Sequence, residues 1–229
     1  VSETTVHWLV QSAADLPAAD GWLSANESVT LSSLRIAKRR DDWRLGRWTA
    51  KRAVAAHVGN ARAQWSRIEI RAADGGAPEV FIDRQRAPLA LSISHSAGRA
   101  LCSLGPGGVA LGCDIEAVAP RSAAFVADYF TGAEQEAINR APVLEQPVLA
   151  TLLWSAKESA LKALHEGLRL DTRSVPVALG GGAPVCGWRA LSVQSTGTAQ
   201  VFGGWWRTLE GYVLTIVAFP PSSPPAALV

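Results

Sequence analysis

Between residues 109 and 116, Val109, Leu111, Cys113 and Ile115 alternate with Ala110, Gly112, Asp114 and Glu116. That two-residue period predicts a strand with one face buried. Shorter apolar runs predict strands at Leu89–Ile93 and Ala100–Leu104. The second ends in Gly105-Pro106-Gly107-Gly108, a turn cluster suited to a hairpin that returns into 109–116. A further turn is expected at Ala73-Asp74-Gly75-Gly76-Ala77-Pro78. Helices are predicted over Ser33–Val58, Glu134–Asn139 and Val148–Leu164, and later strands over Trp188–Val193, Ala199–Phe202 and Tyr212–Phe219. Helices followed by antiparallel strands thus occur twice, which is an α+β pattern. There is a faint hint of duplication, without recognisable sequence identity. Residues 220–229, opened by Pro220-Pro221-Ser222-Ser223-Pro224-Pro225, are expected to be a disordered tail.

Composition narrows the class. With 229 residues, 48% hydrophobic and 18% charged, the chain can bury a core without staples and does not read as disordered. A formal net charge of +2 is too small to make the whole molecule a polyanion binder. Cys102, Cys113 and Cys186 form no CxxC pair, so neither a disulfide framework nor a zinc site is expected. The first residues, VSETTVHWLV, have no charged leader before a long apolar stretch, and no apolar run approaches a membrane span. A cytoplasmic protein is expected. The chain lacks methionine, so Val1 is not expected to be a translation start.

Four segments carry candidate chemistry. On a strand, Asp114 and Glu116 project to one face, about 7 Å apart at their backbones. They suit either an exposed polar edge or a hard-metal site, because Mg²⁺ takes carboxylates and lets substrate phosphates complete its shell. In Trp154-Ser155-Ala156-Lys157-Glu158-Ser159-Ala160-Leu161-Lys162, Glu158 and Lys162 lie one helical turn apart. A surface ion pair is the plain reading. However, Trp154 shares the Glu158 flank, and Lys157 projects into the arc of Leu153, Ala160 and Leu164, where a lysine either snorkels or is held for a purpose. Ser94-His95-Ser96 closes a strand with hydroxyls and an imidazole, the groups of a phosphate cradle. Finally, Arg35, Lys38, Arg39, Arg40, Arg44, Arg47, Lys51 and Arg52 place 8 of the 22 positive charges within 18 residues. They form a solvated helix face or a surface for phosphates or an acidic partner.

Asp114-x-Glu116 and Trp154-x-x-Lys157-Glu158-Ser159-x-x-Lys162, about 40 residues apart, resemble the two signatures of the 4′-phosphopantetheinyl transferases. The resemblance extends to Gly46-Arg47, Ser94-His95-Ser96, and Tyr129-Phe130-Thr131 with Glu134, covering roughly residues 35–175. The length resembles the surfactin-type (Sfp-type) branch. Two departures stand out. The family often carries Gly-Lys-Pro where this chain has Gly76-Ala77-Pro78. It also often carries Gly-x-Gly where this chain has His165-Glu166-Gly167.

The resemblance implies a pseudo-dimer of two α+β halves with coenzyme A between them. Residues 1–117 would form the first half, ending in the Asp-x-Glu strand, and 118–219 the second. It further implies Mg²⁺, or Mn²⁺, held by Asp114, Glu116 and Glu158. Glu158, Lys162 and Asp114 would be the catalytic residues. Arg47, Gly76, Pro78, Ser94, His95, Lys157 and Lys162 would bind coenzyme A, with Arg47, Ser94 and His95 on its 3′-phosphate. The expected reaction moves 4′-phosphopantetheine to a serine of an apo acyl or peptidyl carrier protein and releases 3′,5′-ADP. Arg121–Phe130 is the expected carrier surface, its aromatics serving as contact or as core. The expected enzyme is a monomer with no nucleic-acid or membrane partner. Two other functions fit parts of the pattern: a metal-dependent nucleotide phosphohydrolase, and a nucleic-acid-binding module built on the basic helix, which leaves the three carboxylates unexplained.

Overall fold

The computed structural model describes residues 4–59, 64–166 and 169–228. Val1, Gly167 and Val229, on which expectations were placed, lie outside the described residues. The chain runs β1 (His7–Ser12), α1 (Ala25–Ser33), α2 (Ala37–His57), β2 (Ile68–Ala72), β3 (Pro78–Ile82) and β4 (Gln85–Arg86). It continues through β5 (Leu89–Ser96), β6 (Arg99–Pro106), β7 (Ala110–Ala117), α3 (Ala123–Tyr129), α4 (Gly132–Arg140) and α5 (Gln146–Ala163). It closes with β8 (Val177–Leu179), β9 (Arg189–Gln194), β10 (Val201–Leu209), β11 (Tyr212–Phe219) and β12 (Ala226–Ala227).

One sheet has the order β12-β1-β6-β5, a second β7-β11-β10-β9-β8, and β2-β3-β4 form a small third. Helix α2 lays Ala50, Ala53 and Val54 on Ile70, Val80, Leu91 and Leu104. Helix α5 buries Leu152, Ala156, Ala160 and Leu161 against Leu191, Val193, Phe202 and Val213. A third cluster, with Val6 and Leu101 from one sheet and Leu111, Ile115 and Ile216 from the other, joins them. The α+β class is as expected.

Three expectations change. The helix predicted at Ser33–Val58 starts only at Ala37, as α2, and an unexpected helix, α1, ends where it was to begin. Leu34 and Ile36 are extended between them, after Ser32 and Ser33 have turned their hydroxyls back onto the carbonyls of Val29 and Thr30 (both 2.7 Å). The hairpin between β6 and β7 does not form, because β1 and β5 already occupy both edges of β6. Instead β7 pairs along its length with β11, placing Asp114 opposite Thr215 and Glu116 opposite Val213. By hydrogen bonding the Asp-x-Glu strand therefore belongs to the second sheet, although the expected boundary at 117 put it with the first half.

The tail is ordered through Leu228. Prolines cannot donate to a ladder, but Ala226 and Leu228 can, and they bond to Val6 and Trp8 on the open edge of β1 (2.9 and 2.8 Å). The Trp205 indole also donates to the Ser222 carbonyl (3.1 Å).

Candidate active site

Strand β7 reaches its place because residue 112 is glycine. A Cβ there would stand 1.8 Å from the Ser159 carbonyl oxygen and 2.9 Å from the Ala163 amide, so only glycine lets β7 pass against α5. The pleat then turns Cys113 and Ile115 into the inter-sheet core and Asp114 and Glu116 the other way. Strand β5 lies beside β7 without backbone pairing. Its alternate serines bridge the gap: Ser92 Oγ accepts from the Cys113 amide (3.0 Å), Ser94 Oγ donates to Asp114 Oδ1 (2.7 Å) and Ser96 Oγ to Glu116 Oε2 (3.2 Å). On the α5 side, Thr215 joins the hydroxyls of Ser155 and Ser159 (2.8 and 2.7 Å), all buried. Thr215 carried no signal in sequence, whereas Ser155 and Ser159 lay within the Trp154–Lys162 segment and the β5 serines showed in their alternation.

Lys162 donates to Asp114 Oδ1 (2.8 Å) and to the Cys113 carbonyl (3.1 Å). Burial opposes its charge, yet Asp114, Cys113 and Glu158 together hold the ammonium above its ordinary pKa. Burial raises the Glu116 pKa, Asp114 adds to the rise, and Arg121 and Ser96 oppose it. Glu158 is pushed up to about 7, first by burial, then by the charge on Asp114, with Glu116 adding and Lys162 opposing. The three carboxylates therefore sense one another across β7 and α5.

In the geometry present, no three His, Cys, Asp or Glu side chains converge tightly enough to hold a metal among the described residues. Ser94 and Lys162 occupy Asp114 Oδ1. The donor set nevertheless fits a hard cation: Asp114 Oδ2 is buried without a hydrogen-bond partner, and burial, then the charges of Asp114 and Glu116, push the Glu158 carboxyl up to about 7. An oxygen-seeking cation would relieve both conditions.

Two adjoining cavities lead away from Lys162. One, about 390 Å³, is lined by Gly76, Ala77, Pro78, Ser92, Lys162 and Arg169. The other, about 220 Å³, is lined by Asp42, Gly46, Arg47, Gly76, Pro78 and His95. Gly76, Pro78 and Ile93 line both. Gly76 sits at φ +85°, which lets the 73–77 turn close with its amide donating to the Ala73 carbonyl (2.7 Å). Arg47 stacks over Trp43, 5.1 Å from the ring centre, and leaves its buried Nε unpaired. Burial, with Lys162 and Lys38, holds the His95 imidazole below its ordinary pKa against Asp42 and Asp114. Its Nδ1 lies 3.9 Å from Asp42 Oδ2.

Two expected cofactor contacts are corrected. The 94–96 segment is regular strand rather than a turn, so its residues alternate in direction. His95 lines the Arg47 cavity, while Ser94 is bound to Asp114 and cannot serve the same phosphate. Lys157 is fully buried, and its ammonium donates to the carbonyls of Thr172 (2.8 Å) and Val175 (3.2 Å) and pairs with Glu134 (2.9 Å). With three donors and three acceptors, it has nothing left for a ligand. The aromatics of 121–130 divide: Phe130 is core, while Tyr129 is 37% exposed and packs with Phe125 on Trp154.

Residues 110–217 match the family model of the 4′-phosphopantetheinyl transferase superfamily. The match covers 108 of the 229 residues and supports a 4′-phosphopantetheinyl transferase. It spans β7, α5 and β11, the elements that assemble the carboxylates and Lys162. Among solved structures, a Bacillus anthracis holo-(acyl-carrier-protein) synthase in complex with CoA (3′,5′-ADP) is 22% identical, with a TM-score of 0.39 over 46% of this chain and 97% of its own. The Thermotoga maritima holo-[acyl-carrier-protein] synthase is 16% identical, with a TM-score of 0.37 over 56% of this chain and 74% of its own. Neither likeness is close enough to carry an inference. No protein of curated function matches the enzyme. No helix among the described residues is long and apolar enough to cross a membrane.

Proposed function

We propose that the enzyme transfers 4′-phosphopantetheine from coenzyme A to a serine of an apo acyl or peptidyl carrier protein, in the manner of the surfactin-type branch. The observation that carries this reading is the continuity of the site. Asp114, Glu116, Glu158 and Lys162 stand at one end, and the joined cavities run past Gly76 and Pro78 to Arg47 and His95 at the other. A dinucleotide-like substrate with a pyrophosphate and a distant 3′-phosphate fits that separation of cationic groups.

In this reading Lys162 binds the pyrophosphate as a point charge. Arg47 holds the 3′-phosphate and His95, kept neutral, donates to it. Arg169, which lines the cavity beside Ala77, supplies the cation that the family often has at that position. Asp114, Glu116 and Glu158 would hold Mg²⁺ or Mn²⁺, which when bound supplies neutralisation of pyrophosphate charge. Glu158, on the helix face that meets Asp114, takes the proton of the carrier serine. The serine oxygen bonds to the β-phosphorus, the bond from that phosphorus to the bridging oxygen breaks, and 3′,5′-ADP leaves with the electron pair.

A groove of about 590 Å³ lined by Arg121, Val126, Ile138 and Val143 supports the carrier-docking role of this face. Arg121 also lies 3.6 Å from Glu116. All the groups invoked lie in one chain, so the monomer is active. The test is intact-mass analysis of an apo carrier incubated with coenzyme A, Mg²⁺ and the enzyme. Addition of one phosphopantetheine to the carrier is expected. Free phosphopantetheine with an unmodified carrier would overturn the reading in favour of hydrolysis.

A further inference from the structure

Lys157 is no ligand, and the other half of the molecule shows what it is instead. Helix α4 opens with Thr131 as cap and Glu134 three residues on. Glu134 Oε2 accepts from the Thr131 amide (2.8 Å) and pairs with Lys157 (2.9 Å), while its Oε1 accepts from the Val177 amide on β8 (3.0 Å). Helix α1 opens with Ser24 as cap and Glu27 three residues on. Glu27 Oε2 accepts from the Ser24 amide (2.9 Å) and pairs with Lys51 of α2 (2.5 Å), while its Oε1 accepts from the Ile70 amide on β2 (3.1 Å). The strand amide lies 43 residues after the glutamate in both cases. Each lysine is wholly buried and spends its other two donors on carbonyls: Trp22 and Trp65 for Lys51 (2.9 and 3.0 Å), Thr172 and Val175 for Lys157.

The same six-part arrangement of cap, carboxylate, strand amide, helix lysine and two carbonyls is therefore built twice. Each copy clamps the helix that carries one end of the site. Lys51 follows Arg47 by one turn of α2, and Lys157 precedes Glu158 on α5, one turn and a half before Lys162. An ammonium with three fixed acceptors sets both the rotation and the axial position of its helix, in a way that apolar packing does not.

We propose that Glu134–Lys157 is the positioning element for the reacting end of the site and Glu27–Lys51 its counterpart for the nucleotide end. The proposal rests on the functional reading above for what each end does. Removing one member alone leaves a buried unpaired charge and invites unfolding, so the test removes both. In Glu134→Gln/Lys157→Met and Glu27→Gln/Lys51→Met, glutamine keeps one acceptor oxygen for the cap and gives up the bond to the strand amide, and methionine fills the lysine channel.

Thermal unfolding first establishes that both doubly substituted proteins are folded. Calorimetry then measures 3′,5′-ADP binding, and transfer assays give kcat and KM for coenzyme A. A small misplacement of reacting groups costs on the order of 10- to 100-fold. The α5 variant should lose that factor in kcat while holding 3′,5′-ADP within about twofold of the parent. The α2 variant should lose it in 3′,5′-ADP affinity and in KM, with kcat within about twofold. Folded variants that keep both parameters, or lose both in parallel, overturn the proposal.

If the parent enzyme transfers nothing, the functional reading fails by itself. Amide exchange then decides the positioning claim: faster exchange confined to 146–163 in one variant and to 37–57 in the other supports it, and unchanged or global exchange refutes it.

Discussion

Glu158 is the residue whose substitution gives the sharpest test of the carboxylate cluster, because it can be read without substrate. Its carboxyl is pushed from an ordinary 4.5 up to about 7 by burial and by Asp114 and Glu116. A raised carboxyl pKa means that the folded state prefers the protonated form. The contribution to stability is therefore fully present below about pH 4.5 and is lost as pH rises through about 7. The full span of about 2.5 pH units corresponds to about 3 kcal/mol, of which about 2 kcal/mol falls between about pH 5.5 and about pH 8.5.

Glutamine keeps the shape and cannot ionise, so Glu158→Gln should gain about 2 kcal/mol on the parent between those pH values. The assay is urea unfolding of both proteins in chelator across that range, comparing their difference in stability so that all other titrations cancel. Mg²⁺ added at about pH 8 should then stabilise the parent and leave Glu158→Gln nearly unmoved. Parallel pH profiles for parent and variant would refute the reasoning, since Glu158 would then not sit against two charged carboxylates.

Three further outcomes are expected. Lys162→Ala should depress kcat for coenzyme A by about 10- to 150-fold, because a charge-assisted bond of about 1.5–3 kcal/mol is lost where charge develops; steady-state kinetics checks it, and a change in KM alone would count against it. Arg47→Ala and His95→Ala should chiefly raise KM for coenzyme A and make little difference with dephospho-coenzyme A, which lacks the 3′-phosphate; equal losses on both substrates would remove that assignment. Gly112→Ala should destabilise the protein by about 3 kcal/mol or more, since its Cβ falls 1.8 Å from the Ser159 carbonyl; a thermal midpoint close to the parent's would show that α5 can retreat without cost.

The elements were legible where one face is apolar and the other polar. Strand β7 and helix α5 stand within two residues of their expected ends, since period-two and period-3.6 patterns report local burial directly. Strand β1 was missed because HWLVQS is partly covered on both faces and does not alternate. The β6–β7 hairpin was expected from a sound turn signal. Whether a turn closes a hairpin also depends on a free edge, and β6 had none. The tail was misjudged for a related reason. Its prolines exclude it from a sheet interior, yet the exposed edge of β1 asks only for the two donors that Ala226 and Leu228 provide.

In the candidate site, chemistry was legible and direction was not. Asp114, Glu116, Glu158 and Lys162 share one electrostatic field; spacing alone paired Asp114 with Glu116 and Glu158 with Lys162, and the resemblance joined the two pairs. Ser94 and His95, adjacent in sequence, were read as one cradle. The pleat of β5 sends one to Asp114 and the other to the Arg47 cavity. Lys157 shows the converse. Its place in the apolar arc of α5 was visible, and a buried lysine must find acceptors. Those acceptors lie on Glu134, Thr172 and Val175, at separations no local pattern reports. The matching pair in the first half decides between the two uses of such a lysine. Lys51 repeats every contact on a helix with a different role, so what the copies share is the clamping of a helix, and only what each helix carries next to the clamp is chemistry.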